Sequence, residues 1–373
     1  MAARIVLFGA TGFTGRMTAE RLIAAGERPV LAGRDPERLA ALAAALGAPE
    51  LETVKADVLR QNSIFSMVGQ GDVLVSTVGP FVKWGEPAVR AAIAAQATYL
   101  DSTGEPAFIR RVFEEFDRPA REHGAALLTA MGFDFVPGTL AGALALEEAG
   151  EAAVRVDVGY YSLGAGPDAA SAGTKQSLVG VTLDPSFARR GGEIVTERGA
   201  ARVRSFPVKG RERPGVSTGS AEHFTLPPVY PHLQEVNTYI GWFGPLSRAI
   251  QAGALATSLA TRLPGARSVM QYTGEKLAAA TPSRTHESVT RSLSWVVAAA
   301  YDAAGEELAE VHLSGADGYD FTAGFLAWAA RRAASTGVDG AGALGPLQAF
   351  GLEALQAGCA EAGLERVEAP TAA

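Results

Sequence analysis

The chain has 373 residues, 47% of them hydrophobic and 20% charged, with a formal net charge of −7 at pH 7. That length supports a large core and more than one domain, and the acidic balance argues against a general nucleic-acid surface. One cysteine, Cys359, excludes an internal disulfide, and five scattered histidines offer no metal-ligand spacing. No uncharged apolar run reaches the length of about 18 residues that suggests a membrane span. The chain enters its first strand at once, so we expect no signal peptide and a cytoplasmic setting.

Residues Ile5–Phe8 form a continuous apolar run, as a strand buried on both faces would. A helix is expected from Met17 to Ala25, closed by Gly26. Between them lie Gly9, Thr11, Gly12, Phe13, Thr14 and Gly15. A glycine turn from buried strand to helix gathers backbone N–H groups at the positive helix end, which is where a pyrophosphate binds. The second strand, Pro29–Ala32, delivers Gly33 and Arg34 to the ribose edge. Arg34 is the nineteenth residue after Gly15, where an NAD enzyme usually carries an acid. A guanidinium there favours a 2′-phosphate, so the expected cofactor is NADP(H). Asp35 competes as a ribose acid, but Asp35-Pro36-Glu37 also reads as a helix start with Asp at the N-cap.

Strand and helix continue to alternate up to about residue 135, which predicts a doubly wound parallel sheet of Rossmann type. Thr53–Asp57 is a third strand, ending at Asp57 where such folds touch the adenine. A short helix over 63–68 precedes a fourth strand over 72–78, which leads into Val78, Gly79, Pro80 and Phe81 on the nicotinamide side. A helix over 86–95 and a fifth strand over 98–101 follow. Asp101, Ser102 and Glu105 then either border the nicotinamide or cap the helix that opens at Pro106. A helix over 107–123 and a sixth strand over 125–129 complete the series, and Asp134 is placed to cap a helix beginning at Val136.

From about residue 151 the rhythm changes. Residues 154–161 alternate like an antiparallel strand with one face in solvent, and 201–208 behave similarly. Segments 292–301 and 307–313 flank a turn and read as a hairpin. Residues 245–263 read as a mostly apolar helix, either buried core or a wall for a greasy substrate. Helices over 322–334 and 347–362 are expected to return to the first domain. The organisation is thus a dinucleotide-binding domain over 1–135, an inserted α+β domain over 136–321 and C-terminal helices over 322–373. In the inserted part, Ser171–Ser177 is the richest polar stretch, and Lys175 within it is a candidate proton donor or anion anchor. Tyr160, Tyr161, Asp101 and Glu105 are the other candidate acids. Lys209, Arg211 and Arg213 make a small basic turn, solvated or facing an anionic carrier.

Two strings fail on context. Gly215-Val-Ser217-Thr-Gly219 matches a nucleophile elbow but lacks the preceding strand and following helix. Tyr272 and Lys276 match a Tyr-x-x-x-Lys pair but lie far from the first sheet and enclose a glycine. Cys359, inside a helical stretch, reads as core filler.

Taken together, Gly9–Arg16, Ala32–Arg34, Val78–Phe81, Tyr99–Glu105 and Gly132–Pro137 resemble the signature series of saccharopine dehydrogenase-like oxidoreductases, within them the trans-acting enoyl reductase-like subgroup. Ser171–Ser177 extends the likeness, with Ala172 where that subgroup has glycine. The resemblance implies an NADP-binding lobe and an inserted lobe that holds substrate and mediates a homodimer. It implies roles for Gly9, Thr11, Gly12, Phe13, Thr14 and Gly15 at the pyrophosphate. Arg34 would meet the 2′-phosphate, Asp57 the adenine, and Gly79 to Phe81 the nicotinamide. Saccharopine itself would need a cluster of arginines, and the middle of the sequence suggests none. The expected activity is NADPH-dependent reduction of a conjugated C=C or a C=N bond in a small or acyl-chain substrate. Its alternative is a non-catalytic NADP-binding sensor or scaffold. Peripheral membrane contact through the apolar 245–263 segment is a further alternative; a membrane span and a nucleic-acid partner are not expected.

Overall fold

The computed structural model describes residues 3–164, 185–242, 244–260 and 292–369, with five isolated positions between 268 and 276. Ser171–Ser177, and with it Lys175, lies outside the described residues. In chain order the strands are β1 (Ile5–Phe8), β2 (Val30–Gly33), β3 (Thr53–Lys55), β4 (Val73–Ser76), β5 (Thr98–Asp101), β6 (Ala126–Leu128), β7 (Arg155–Leu163) and β8 (Ser186–Arg190). They continue as β9 (Glu193–Glu197), β10 (Val203–Val208), β11 (Arg211–Thr218), β12 (Glu235–Ile240), β13 (Leu293–Tyr301), β14 (Glu307–Gly315), β15 (Gly342–Ala343) and β16 (Leu364–Val367).

The chain divides into two compact units. The first comprises Met1–Gly104, Phe108–Asp134 and Tyr319–Gly363. Its sheet runs β15-β6-β5-β4-β1-β2-β3, every neighbour parallel. The order reverses between β1 and β4, and in such sheets ligands bind outside the carboxyl ends of the strands at that reversal. All residues of β1, β2 and β4 are buried, as their unbroken apolar runs require. Val6, Phe8, Leu74, Tyr99 and Leu127 share one core with Val89, Ala92, Phe108 and Val112.

Two helices flank the expected cofactor edge. The first, α1, spans Phe13–Ala24 and so begins four residues earlier than the sequence predicts, which places Gly15 in its first turn. The second, α2, spans Pro36–Ala45. Asp35 caps it: one carboxylate oxygen accepts from the Glu37 and Arg38 amides at 3.1 and 3.2 Å. The single helix expected over 107–123 is broken by a π-helical turn at Val112–Phe116, and left-handed Gly124 ends it. Within Tyr319–Gly363, Trp328 packs on Phe350 and Gly358, where a Cβ would lie 2.6 Å from the indole, and Cys359 is buried beside them.

The second unit comprises Glu105–Ala107, Phe135–Gly318 and Leu364–Ala373. Its sheet runs β10-β11-β12-β7-β13-β14-β16, with β8 joining β12 to β9. The hairpin β13–β14 forms as its turn signal predicts. Strand β7 corrects the sequence reading. It is antiparallel to β13 but parallel to β12, and its residues Val156–Tyr161 are buried on both faces. The helix Val136–Ala149 covers one face, with Gly138 against Tyr160 and Gly142 near Val156. On the other face Tyr161 packs with Phe206 and Tyr239. The apolar helix occupies Ser247–Ala260 and is mostly exposed or half-buried, with Leu255 47% exposed, so it is not a core helix. Among the described residues no helix is long and apolar enough to cross a membrane.

Asp134 does not cap the helix that follows it; Phe135 holds the N-cap position without a side-chain bond. Instead Oδ1 of Asp134 is enclosed with no hydrogen-bond partner among the described residues, and a Cβ on Gly104 would stand 3.2 Å from Oδ2. Burial pushes this carboxyl up to about 7. A carboxyl raised above its unfolded value adds stability that is complete below about pH 4 and is lost as pH rises through about 7. We therefore expect Asp134→Asn to match the wild type in urea unfolding near pH 4, to gain on it up to about pH 7 and to hold a constant lead above that. Parallel stability curves across that range would show that the carboxyl ionises normally.

Candidate dinucleotide site

The turn between β1 and α1 is built by backbone contacts that leave no space for a side chain at Gly9 or Gly15. Gly9 has φ of +92°, a region costly for any residue with a Cβ. Its N–H donates to Ala32 O at 2.9 Å, and its carbonyl accepts from Gly12 N–H at 2.9 Å. A Cβ on Gly15 would lie 2.2 Å from the Gly9 carbonyl oxygen. A Cβ on Gly9 would lie 2.7 Å from Thr77 Oγ1 and 2.9 Å from Val78 Cγ2. Thr77, just past β4, donates its hydroxyl to the Phe8 and Gly9 carbonyls. Gly9 and Gly15 are therefore steric requirements of a turn pinned against the exit of β4, while a Cβ on Gly12 would stand 3.2 Å from the Gly9 carbonyl oxygen.

Gly12 is the N-cap of α1, with φ −79° and ψ 170° and no capping side chain. The first helical bond runs from Arg16 N–H to Gly12 O at 2.9 Å, so the Thr14 and Gly15 amides precede it. The first turn carries no acidic residue. Arg16 is paired with Glu20 along the helix and does not supply the local cation. A helix N-terminus with no capping side chain, entered through a turn closed by Gly9 and Gly12, is a fitting cradle for a pyrophosphate, and Gly9, Thr11, Gly12, Phe13, Thr14 and Gly15 are the residues that could hold it.

At the end of β2, Gly33 is buried and Arg34 is exposed. Among the described residues Arg34 has no carboxylate partner, and Asp35 is engaged as a helix cap. This edge thus presents a cation where an acid would select the 2′-hydroxyl. Beyond β3, Asp57 is half-buried; its amide donates to Ser63 Oγ and its carboxylate accepts from the Leu59 amide. After β4, Val78, Gly79 and Pro80 are half-buried, whereas Phe81 turns into the core against Phe108 at 5.6 Å. Backbone at Gly79 remains a candidate contact; the Phe81 ring is a packing group.

The candidate acids are placed differently. Asp101 is fully buried at the end of β5, where Oδ1 accepts from the Thr103 and Ala130 amides and Oδ2 from the Thr129 hydroxyl. Burial raises its carboxyl to about 6 against the pull of those three bonds. It ties the exits of β5 and β6 together, holding Ala130 at a left-handed φ of 60°. Ser102 is half-buried beside it, and Glu105 is buried in the second unit. Tyr160 is fully buried in that unit; its hydroxyl donates to Glu222 at 2.6 Å and accepts from the Gly138 amide at 2.7 Å. Tyr161 donates to Arg213 O at 2.8 Å, and burial pushes its phenol well up. Both tyrosines are committed to the interior.

Two groups escaped sequence reasoning. Thr77 is an ordinary strand-ending threonine until its bonds to the glycine turn are seen. Tyr319, from the helix Gly318–Thr336, stands edge-on to Phe13 at 5.0 Å, a contact between positions 306 residues apart that no local pattern signals. The structure also assembles arginines where the sequence suggested none. Arg155 of β7, Arg190 of β8 and Arg204 of β10 gather around Asp157, Asn237 and Glu235, each with an internal acidic or amide partner.

Residues 5–129 match the family described as the saccharopine dehydrogenase NADP binding domain. A protein of Mycobacterium tuberculosis (strain ATCC 25618 / H37Rv), provisionally named a trans-acting enoyl reductase, is 42% identical over 140 residues. That alignment covers 36% of this chain and 33% of the relative. A trans-acting enoyl reductase of Mycobacterium leprae (strain TN) is 39% identical over 140 residues, covering 36% of this chain and 34% of its own. The match thus spans about a third of the length of these relatives. Among solved structures, apo saccharopine dehydrogenase (L-Glu forming) from Saccharomyces cerevisiae aligns with a TM-score of 0.60 at 12% identity, covering 98% of this chain and 100% of that one.

If the Gly9–Gly15 approach shapes the seat, Gly15→Ala must displace the turn and weaken NADPH binding by about tenfold or more, a loss of at least about 1.4 kcal/mol. Fluorescence titration measures this, and an unchanged Kd would contradict the assigned role of the turn. The matched sequence and the glycine turn agree: residues 5–129 are a saccharopine dehydrogenase-type NADP-binding domain, and the chain as a whole has the saccharopine dehydrogenase fold.

Proposed function

We propose that this protein is an NADPH-dependent reductase acting on a double bond conjugated with a carbonyl, in an acyl-chain or smaller substrate. The observation that carries the reading is the pairing of an uncapped, acid-free helix N-terminus at Gly9–Gly15 with Arg34 at the end of β2, which has no carboxylate partner among the described residues. The first suits a pyrophosphate and the second a 2′-phosphate. When bound, the reduced nicotinamide supplies hydride. The protein's part is to orient it and to stabilise the charge that develops on the substrate oxygen. The names of the relatives favour an enoyl substrate over an imine. The cytoplasmic, homodimeric setting belongs to the same reading and rests on the family likeness.

A second reading has one observation in its favour. Asp101, Tyr160 and Tyr161 each commit their polar groups to interior partners, so among these candidates none is a ready proton donor. A protein that binds NADP and signals its redox state without turnover would look the same.

Titration with NADPH and NADH separates wrong from right at the cofactor, and NADPH oxidation with α,β-unsaturated thioesters separates the two readings. The wild type is expected to prefer NADPH by a factor of about 10² or more, and Arg34→Ala to reduce that preference at least about tenfold. Turnover with the thioesters supports the reductase; tight NADPH binding with no turnover across enones and imines supports the sensor.

A further inference from the structure

Some basic groups of the first unit are ion-paired, whereas others, among them those at the carboxyl ends of β2 and β3, are not. Arg4 is paired with Asp72, Arg28 with Glu50, Arg121 with Asp117 and Arg331 with Glu361. Arg34 and Lys55 are both exposed, and among the described residues neither is ion-paired. Lys55 ends β3 and Arg34 follows the last residue of β2; in these adjacent parallel strands Lys55 stands in register with Gly33, the residue before Arg34. The bond from Ala56 N–H to Gly33 O, 2.9 Å, holds that register at the strand ends. The two backbones are therefore about one strand spacing, roughly 5 Å, apart.

The carboxylates nearby are partly engaged. Asp35 accepts from the Glu37 and Arg38 amides and Asp57 from the Leu59 amide, which leaves Glu37 as the exposed acid of this edge. A phosphate monoester carries about −1.5 to −2 charge at pH 7. One guanidinium leaves much of that charge uncompensated, and a second cation on the neighbouring strand end would neutralise the rest.

We propose that Lys55 is a second specificity-determining cation, forming with Arg34 a two-point seat for the adenosine 2′-phosphate across the ends of β2 and β3. The inference rests on the NADP reading of Arg34 and adds a residue from a different strand to it. Another use for an exposed lysine exists, since β3 is the edge strand of its sheet and edge lysines discourage strand pairing between molecules. That use involves no phosphate, so ligand binding tells the two apart.

The test is calorimetric titration of the full chain with 2′,5′-ADP and 5′-ADP at several salt concentrations, for wild type, Arg34→Ala, Lys55→Gln and Lys55→Arg. Lys55→Gln should weaken 2′,5′-ADP binding about five- to tenfold and flatten its salt dependence, while 5′-ADP binding stays unchanged. Lys55→Arg should retain most of the wild-type affinity. Wild-type binding of 2′,5′-ADP by Lys55→Gln, alongside a loss in Arg34→Ala, would overturn the role of Lys55 and leave the NADP reading standing. Equal binding of both nucleotides by the wild type would overturn the reading itself, and the Lys55 seat with it.

Discussion

The approach of Gly15 to the carbonyl of Gly9 is the constraint on which the cofactor edge depends. A helix that begins this close to the strand feeding it can do so only without a Cβ at either position. Because the turn is that tight, the N-terminus of α1 lies against the carboxyl ends of β1 and β4, and Thr77 can bond both carbonyls of the turn. The bond from Gly9 N–H to Ala32 O ties the same turn to β2, one residue before Gly33 and two before Arg34. The proposed phosphate-binding and ribose-selecting parts of the site are thus fixed to each other through backbone.

A second constraint orders the opposite side of the reversal. The buried carboxylate of Asp101 collects two amides and a hydroxyl from the segments that leave β5 and β6. Removing that group would strand three donors in the interior, where each unsatisfied group costs about 1–3 kcal/mol. Its role here is positional. The same economy of polar groups holds in the second unit, where Tyr160 joins Gly138 to Glu222 across the sheet and its helix.

Much of the first unit was legible because its signals are local. The apolar runs of β1, β2 and β4 are bounded by glycine, aspartate or arginine, and the Asp35-Pro36-Glu37 cap reads directly. The start of α1 was misplaced because Phe13, Thr14 and Gly15 are indifferent or poor helix formers, and tertiary contact with Gly9 overrides that preference. Strand β7 was misread for a related reason. Its alternation suggests one wet face, but the β10–β11 hairpin brings Phe206 over Gly159, and β12 brings Tyr239 to the same cluster, burying that face. Arginines that looked scattered in the sequence meet around Asp157 once the strands pair. Thr77, Tyr319 and the register of Lys55 against Gly33 are products of long-range pairing and have no signature in any short window.

The central claim is that NADP binds along one continuous edge formed by the exits of β1, β2 and β4. Amide hydrogen exchange with and without saturating NADP⁺ tests it most directly, because it reads backbone position by position and needs no substrate. The account predicts slowed exchange in peptides covering residues 9–15, 33–38 and 77–81, with strands β8 to β11 unaffected. Protection confined to those second-unit strands, or no protection at 9–15, would contradict it.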